Sequence, residues 1–435
     1  MKKLEKFLQD HFEQFEIFEQ ENEYKSISFE SNNLKEIATK QSKGFSVRSI
    51  KNNGLTFSSS SNYDLEKFSS NFLELSQYPI STNIQFPKPH KTSSKEVKIF
   101  SKEEFKIEND FFINNLRKNI KEIQKKFPDA LCDAEYDLAI GKSSLVNSNG
   151  LKKETFESAI SFYISAQLIN GNDMLNIYNY LSSVKNFTTT EIEQVTNKLI
   201  EDLSIAQKIK NTPKKGCPVI FTPHGLYQTI LAPLLVSFNG TNLSKELSSL
   251  FKKEGEKIFD EKITLLDDPF IDYSPSSRNY DAEGIQTKQI PLIEKGEFKS
   301  GVFDLKTAYD YGCSSTGSAG RSLNSGTFPS ISNLVMKNGN QDISNIIEQI
   351  DEGILVDHLL GAGQGNELSG DFSANISLGY KIEKGKLVGR VKNTMISGNA
   401  FSALKNVENL SKEKETVYGS MSLPFLQTHQ VEISS

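Results

Sequence analysis

The stretch from Phe156 to Leu168 most narrows what this chain can fold into. Phe156, Ile160, Phe162, Ile164, Ala166 and Leu168 fall on one parity, and Glu157, Ser161, Ser165 and Gln167 on the other. Strand side chains alternate between two faces, so a period of two over this length requires a sheet with one covered face and one polar face. Shorter segments repeat the pattern upstream: Ile27 and Phe29 alternate with Ser26 and Ser28, and Phe45 and Val47 with Ser46 and Arg48. Asn53-Gly54 and Asn149-Gly150 supply hairpin turns, because both residue types tolerate positive φ.

Helical periods lie between these strands. Leu4, Phe7, Leu8, Phe12 and Phe15 recur at helical spacing in the charged N-terminal segment, and Leu65, Phe68, Phe72 and Leu75 do so over 62–75. Phe112, Leu116, Ile120, Ile123 and Phe127 predict a helix that Pro128 stops. Thr188–Ile209 predicts another, with a Thr run to cap it and a stripe of Ile192, Val195, Leu199, Leu203 and Ala206. Residues 76–101, with Pro79, Pro87 and Pro89 among polar residues, read as a linker. Cys217–Thr222 reads as a buried strand and residues 223–238 as an apolar helix interrupted by Pro233. From Ile263 onward, strand-like segments separated by Gly, Asn and Asp dominate, and most should pair antiparallel. The expected fold class is α+β: an N-terminal α/β domain of helices and antiparallel strands over 1–215, followed by a β-rich C-terminal domain over 216–435.

With 50 Lys and Arg against 55 Asp and Glu, the net charge is −5, which disfavours direct contact with nucleic acid or an anionic membrane. Cys132, Cys217 and Cys313 form no disulfide framework and read as buried or free thiols. No run of 18 apolar residues occurs, and the segment behind Lys2-Lys3 lacks a signal-peptide core, so a cytoplasmic protein is expected.

A helix-borne metallopeptidase site needs two His on one helix face with a Glu beside the first. His11, His90, His224, His358 and His429 are far apart, and none is followed by Glu. Each reads as an isolated histidine; the alternative is a composite site of His224, His358 and His429 with distant carboxylates. Gly361–Gly365 imitates part of a dinucleotide fingerprint but lacks the third glycine and a following helix, so it reads as a loop. Gly317–Arg321 has the composition of a nest for an anion or a peptide carbonyl. Ser315, Thr316, Gly317, Gly320, Arg321, Gly363 and Gly365 are the candidate peptide-binding loop residues. Asp267, Asp268, Asp272, Asp281 and Glu283 cluster without EF-hand spacing and read as solvated turns. No G-x-S-x-G elbow supports serine hydrolase chemistry.

Several segments in order along the chain resemble the TldD/PmbA family, described as metal-dependent peptidases or "modulators of DNA gyrase". They are GFSVRSIKNNGLTFSSSS at 44–61, SSLVNSNGLKKETFESAISFYISA at 143–166, CPVIFTP at 217–223 and KITLLDDP at 262–269. YDAEGIQTKQIPLIEKGEFKSGVFDLKTA at 280–308, STGSAGR at 315–321, GILVDHLLGAGQGNELSGDFSANISLGYKIEKGKL at 353–387 and VKNTMISGNAFSALKNVENL at 391–410 complete the set. The resemblance places the catalytic His-Glu-x-x-x-His of active members on the helix after CPVIFTP. Here that helix reads GLYQTILAPLLVSF, with apolar Ile230, Leu231, Leu234 and Leu235, and the tail lacks the Cys that completes the metal site. The chain is therefore similar to the PmbA/TldE-type subunit. The resemblance implies that this chain carries no catalytic or metal-binding residue and binds no cofactor itself. It implies a metal-bearing TldD-like partner that holds zinc, and a pair that degrades or processes unfolded or modified peptides. The alternatives are a metal-free homodimeric peptide-binding or scaffold protein and a peptidase with an atypical metal site.

Overall fold

The computed structural model describes residues 1–89 and 96–435, so His90 and part of the expected linker lie outside the described residues. The N-terminal half runs α1 (Lys2–His11), β1 (Gln14–Glu30), β2 (Asn33–Lys51), β3 (Gly54–Ser60), α2 (Leu65–Leu75), β4 (Ile80–Ser81), α3 (Asn109–Lys126), β5 (Leu131–Asn147), β6 (Lys152–Asn170), β7 (Asp173–Ser183) and α4 (Thr189–Ala206). Its strands form one antiparallel sheet in the order β4-β3-β2-β1-β5-β6-β7. The alternation in β6 holds over its middle, where Ile160, Phe162, Ile164 and Ala166 are buried in one cluster with the apolar stripes of α3 and α4, while Phe156 is exposed and Ser165 of the other parity is buried. A capping box starts α4, with Thr188 accepting from the Glu191 amide and Glu191 accepting from the Thr188 amide. Such a cap contributes about 1 kcal/mol.

Several boundaries differ from the sequence reading, among them the helix expected to reach Ile209, which ends at Ala206 and leaves Ile209 in a short strand. The first helix ends at His11, and Phe12 is extended at φ −128 and ψ 149. Phe12 and Phe15 match the helical spacing of Leu4 and Leu8 because all four fill one small core, from two different elements. The turn expected at Asn53-Gly54 sits one residue earlier. Asn52 and Asn53 take φ of 50 and 57, as a type I′ turn demands of both central residues, and Gly54 already belongs to β3.

The C-terminal half is built on a mixed sheet. Its main path runs Glu297–Phe298, Ile290–Glu294, Leu265–Asp267, Leu334–Met336, Met421–Thr428, Val219–Phe221, Glu352–Leu360, Asp371–Glu383, Lys386–Val391 and Ile209–Lys210. Most pairs are antiparallel, as expected. The exceptions are Val219–Phe221 with Glu352–Leu360, Leu334–Met336 with Met421–Thr428, and Ile209–Lys210 with Lys386–Val391. Ile220, Leu355, Leu378, Tyr380 and Ile382 of this sheet share a core with α3, α4 and β6. α4 bonds to both halves: Asn179 of β7 donates to the Val195 carbonyl, and Arg390 donates to the Ala206 carbonyl.

A buried charge network also crosses between the halves. Arg48 of β2 bonds to Glu16 of β1 and reaches Glu283 at 2.7 Å and Thr327 at 2.7 Å, while Arg321 pairs with Glu16. The four charged side chains are at most 4% exposed. The reading of the carboxylate cluster as solvated turns is therefore corrected for three of its members. Asp267, Asp281 and Glu283 are buried, with Asp267 capping the Ser332 and Asn333 amides and Asp281 those of Glu283, Ile285 and Ala319.

Candidate functional site

The parallel strands Val219–Phe221 and Glu352–Leu360 bring two remote stretches of sequence side by side. Thr222 ends the first strand and caps the helical segment over 223–238, accepting from the Gly225 amide at 3.1 Å. Its hydroxyl donates to Asp357 at 2.7 Å. Gly225 permits this approach, because a Cβ there would collide with the Val356 carbonyl. The helical segment widens to a π turn over Tyr227–Leu231 just before Pro233, whose ring cannot donate into a regular ladder.

His224 in the first helical turn and His358 beside Asp357 face each other, with ring centroids 5.1 Å apart. The strand register slips on both sides of His358, and irregularities of this kind re-aim side chains. Tyr178 of β7 packs edge-on against His358 at 4.4 Å, and Tyr163 lies 5.9 Å from Tyr178. On the other side Tyr418 sits 5.6 Å from both His224 and Tyr227. A tract of six rings thus runs from the open face of the N-terminal sheet, opposite α3 and α4, into the C-terminal half. The same open face borders a cavity of about 480 Å³ lined by Tyr24, Ser26, Asp137, Ser161, Tyr180 and Ser182 among others.

The two imidazoles differ electrostatically. Burial resists charge on His358, but Asp357, with Oδ2 3.2 Å from Nδ1, outweighs it and holds the pKa above the ordinary value. At 3.2 Å the Asp357 contact is close but poorly aligned for a hydrogen bond, and Nε2 of His358 has no hydrogen-bond partner. Burial likewise opposes ionisation of Asp357, but His358 and Thr222 keep its carboxyl well below the usual carboxylate range. Burial, then the charge on His358, pushes His224 down to about 4, so it is neutral at pH 7, and its Nδ1 has no partner. Behind them, burial and the charge of Asp357 push Asp202 of α4 up to about 7. His358 beside the Asp357 carboxylate and the neutral His224, walled by tyrosines, leave Nε2 of His358 and Nδ1 of His224 without partners.

Zinc does not fit this donor set. A zinc site takes three or four N, S or O ligands from the protein. The buried face of the helical segment is Leu226, Ile230, Leu231 and Leu234, and Asp357 is engaged by Thr222 and His358. Among the described residues no group of three or more His, Cys, Asp or Glu is placed to hold a metal ion.

Of the expected composite, His224 and His358 come together. His429 pairs instead with Glu408 at 2.6 Å, and His11 bonds to the Phe7 carbonyl. The candidate loop residues fall into two groups. Ser315 and Thr316 hydrogen-bond to Phe303, Gly317 has φ 73, Gly320 packs by Phe328, and Arg321 joins the buried charge network. Gly363 and Gly365 lie in the loop after Leu360, which is 63% exposed and directly continues the His358 strand. Sequence reading missed Tyr163, Tyr178, Tyr227, Tyr418 and Asp357. The available signal was Asp-His closing the apolar run ILVDH, next to tyrosines on the polar parity of β6 and β7.

A family model described as the PmbA/TldA metallopeptidase C-terminal domain matches residues 213–435, and one described as PmbA/TldA metallopeptidase domain 1 matches 15–72. The chain is 26% identical to the crystal structure of TldE from Thermococcus kodakarensis, with TM-score 0.88 and all of both chains covered. It is 28% identical over 347 residues to a zinc metalloprotease TldD homolog of Saccharolobus solfataricus, covering 76% of this chain and 73% of that one. It is 30% identical over 269 residues to an uncharacterized protein of Methanocaldococcus jannaschii, covering 61% of each. The chain spans about three-fifths of the length of the first curated relatives it matches. No helix among the described residues is long and apolar enough to cross a membrane. With a C-terminal match covering just over half its length and a second match near its N-terminus, the chain belongs to the TldD/PmbA family.

Proposed function

We propose that this chain is the PmbA/TldE-type, metal-free subunit of a zinc metallopeptidase complex that degrades or processes unfolded or modified peptides. The single observation that carries this reading is the helical segment over 223–238. It packs Leu226, Ile230, Leu231 and Leu234 into the core and offers one imidazole, His224, where a metallopeptidase helix needs two His and a Glu. The chain's contribution is then to hold peptide. The ring tract from Tyr163 to Tyr227, with Nδ1 of His224 and Nε2 of His358 unpartnered, suits extended backbone, and Gly363 and Gly365 lie in the loop that follows the His358 strand. A metal-bearing TldD-like subunit supplies zinc and the chemistry, and both proteins are cytoplasmic. Two domains, over 1–215 and 216–435, are part of the same reading.

The meeting of His224 and His358 favours a second reading, a peptidase with an atypical metal site. Metal analysis of the purified chain decides between them. The first reading expects no stoichiometric zinc and no peptidase activity until a TldD-type protein is added. Stoichiometric zinc with activity in the isolated chain, both lost in His224→Ala and His358→Ala, refutes it.

A further inference from the structure

The ends of three neighbouring strands in the C-terminal sheet bring lysines from distant parts of the sequence together. Leu265–Asp267 lies between Ile290–Glu294 and Leu334–Met336, and the residues just outside these strands line up. The Lys337 amide donates to the Thr264 carbonyl at 2.9 Å, and the Lys295 amide to the Thr264 hydroxyl at 3.2 Å. At about 4.8 Å between strands, Lys295 and Lys337 stand roughly 10 Å apart with Thr264 between them. Lys257 joins them through its bridge to Glu297, in the strand beyond Ile290–Glu294. All four residues line a cavity of about 920 Å³. Residues 338–341 form another wall and are held in place, with the Gly339 amide donating to the Ser411 carbonyl and the Lys412 amide to that of Gln341. A Cβ at Gly339 would collide with the Leu410 carbonyl.

The charges in this cavity do not balance. Of its four glutamates, Glu294 and Glu297 are paired with Lys299, which lies outside the lining, and Glu408 is paired with His429. Lys262 is held by Asp260 and the Val407 carbonyl. Among the described residues the ammonium groups of Lys257, Lys295 and Lys337 have no ion-pair or hydrogen-bond partner, and Glu261 is the one unpaired acid of the lining. Three free cations therefore face one free carboxylate. The Thr264 hydroxyl accepts from Lys295, so its own proton is left to donate.

We propose that this cavity binds an oligophosphate anion through Lys257, Lys295, Lys337 and the Thr264 hydroxyl. Lysine presents a compact charge on a flexible four-carbon stem, so three of them can close on one multiply charged group. Phosphate oxygens accept from such point donors, whereas carboxylate recognition favours the planar fork of arginine, and no arginine is among the described residues of the lining. Nor is there an aromatic ring among them on which a base could stack. Recognition therefore stops at the phosphate chain, in inorganic tripolyphosphate and in the tail of a nucleoside triphosphate alike. The proposal stands apart from the metal-free subunit reading, since it uses no residue of the ring tract or of the 223–238 helix.

Calorimetric titration of the purified chain with sodium tripolyphosphate at low ionic strength tests it. One equivalent should bind, ATP should match it and adenosine should not bind. Affinity should fall as salt rises. Lys257→Gln, Lys295→Gln and Lys337→Gln should each weaken binding by about fivefold, and the triple variant should abolish it. Glu261→Gln should tighten it, because the one unpaired acid is gone. All four side chains are exposed, so the variants should fold. Changing Lys2, Lys3 and Lys6 to Gln alters the net charge equally on a different surface and should leave binding as it was. No binding at millimolar tripolyphosphate overturns the proposal. So does an equal loss in the Lys2, Lys3 and Lys6 variant, full binding in the Lys257, Lys295 and Lys337 variant, or hexaglutamate binding as tightly as tripolyphosphate.

Discussion

Replacing Arg48 by Met tests whether the buried charge network carries the contact between the two halves. Met keeps the aliphatic bulk beside the Phe86 ring, 5.1 Å from the guanidinium, and removes only the charge and its donors. Glu16 would retain Arg321. Glu283 would retain the Leu305 amide at 2.8 Å and the Thr327 hydroxyl at 3.1 Å, but no directly bonded cation, only the more distant charge of Arg321. Removing one partner of a buried pair costs about 3–5 kcal/mol at neutral pH, because a charge is left without compensation. Burial, only partly offset by Arg48, already holds the Glu283 carboxyl above its ordinary pKa. Its stability contribution is thus present at low pH and lost as pH rises through the folded-state pKa, and Arg48→Met moves that pKa further up.

The defect should accordingly be largest near pH 8 and shrink toward pH 5 by up to about 1.4 kcal/mol per unit once Glu283 binds a proton. Adding Glu283→Gln should recover most of the loss at pH 8 and abolish its pH dependence. Urea denaturation followed by far-UV circular dichroism reads both effects; the chain has no tryptophan to follow by fluorescence. A variant within 1 kcal/mol of the parent at pH 8, or a defect that does not change with pH, would refute the reasoning.

At the ring tract, His224 has a folded pKa of about 4 against roughly 6.5 unfolded, so its stability contribution is present above pH 6.5 and lost as pH falls through 4. His224→Gln should remove about 3 kcal/mol of acid destabilisation across that window, measured by urea melts at both ends, and an unchanged pH profile would contradict the assignment. Asp202 is shifted the other way, to about 7, so its contribution is present below about pH 4 and lost as pH rises through 7. Asp202→Asn should therefore raise stability at pH 8 by up to about 4 kcal/mol, a figure already net of the attraction of Lys198, and leave pH 4 unchanged. A loss of stability at pH 8 would show that Asp202 is ionised and usefully paired.

What could be read from sequence followed from how locally each signal is encoded. The period of two in β6 and the stripes of α3 and α4 are local, and the structure shows them, in β6 over its middle, because each is fixed by neighbours two to four residues away. The apolar spacing of Phe12 and Phe15 misled because it records a shared core, which does not require a shared helix. The candidate site was illegible for the same reason carried further. Asp357 and His358 are meaningful only through parallel pairing of Glu352–Leu360 with Val219–Phe221, and a parallel pair has no hairpin to announce it. Asp281 and Glu283 look like surface acids until Arg48, more than two hundred residues earlier, is brought against Glu283. Motifs built from one segment were thus visible, including the missing His-Glu pair on the 223–238 helix. Groups whose pKa depends on burial by a second segment were not, and these are the groups with unpartnered or shifted atoms.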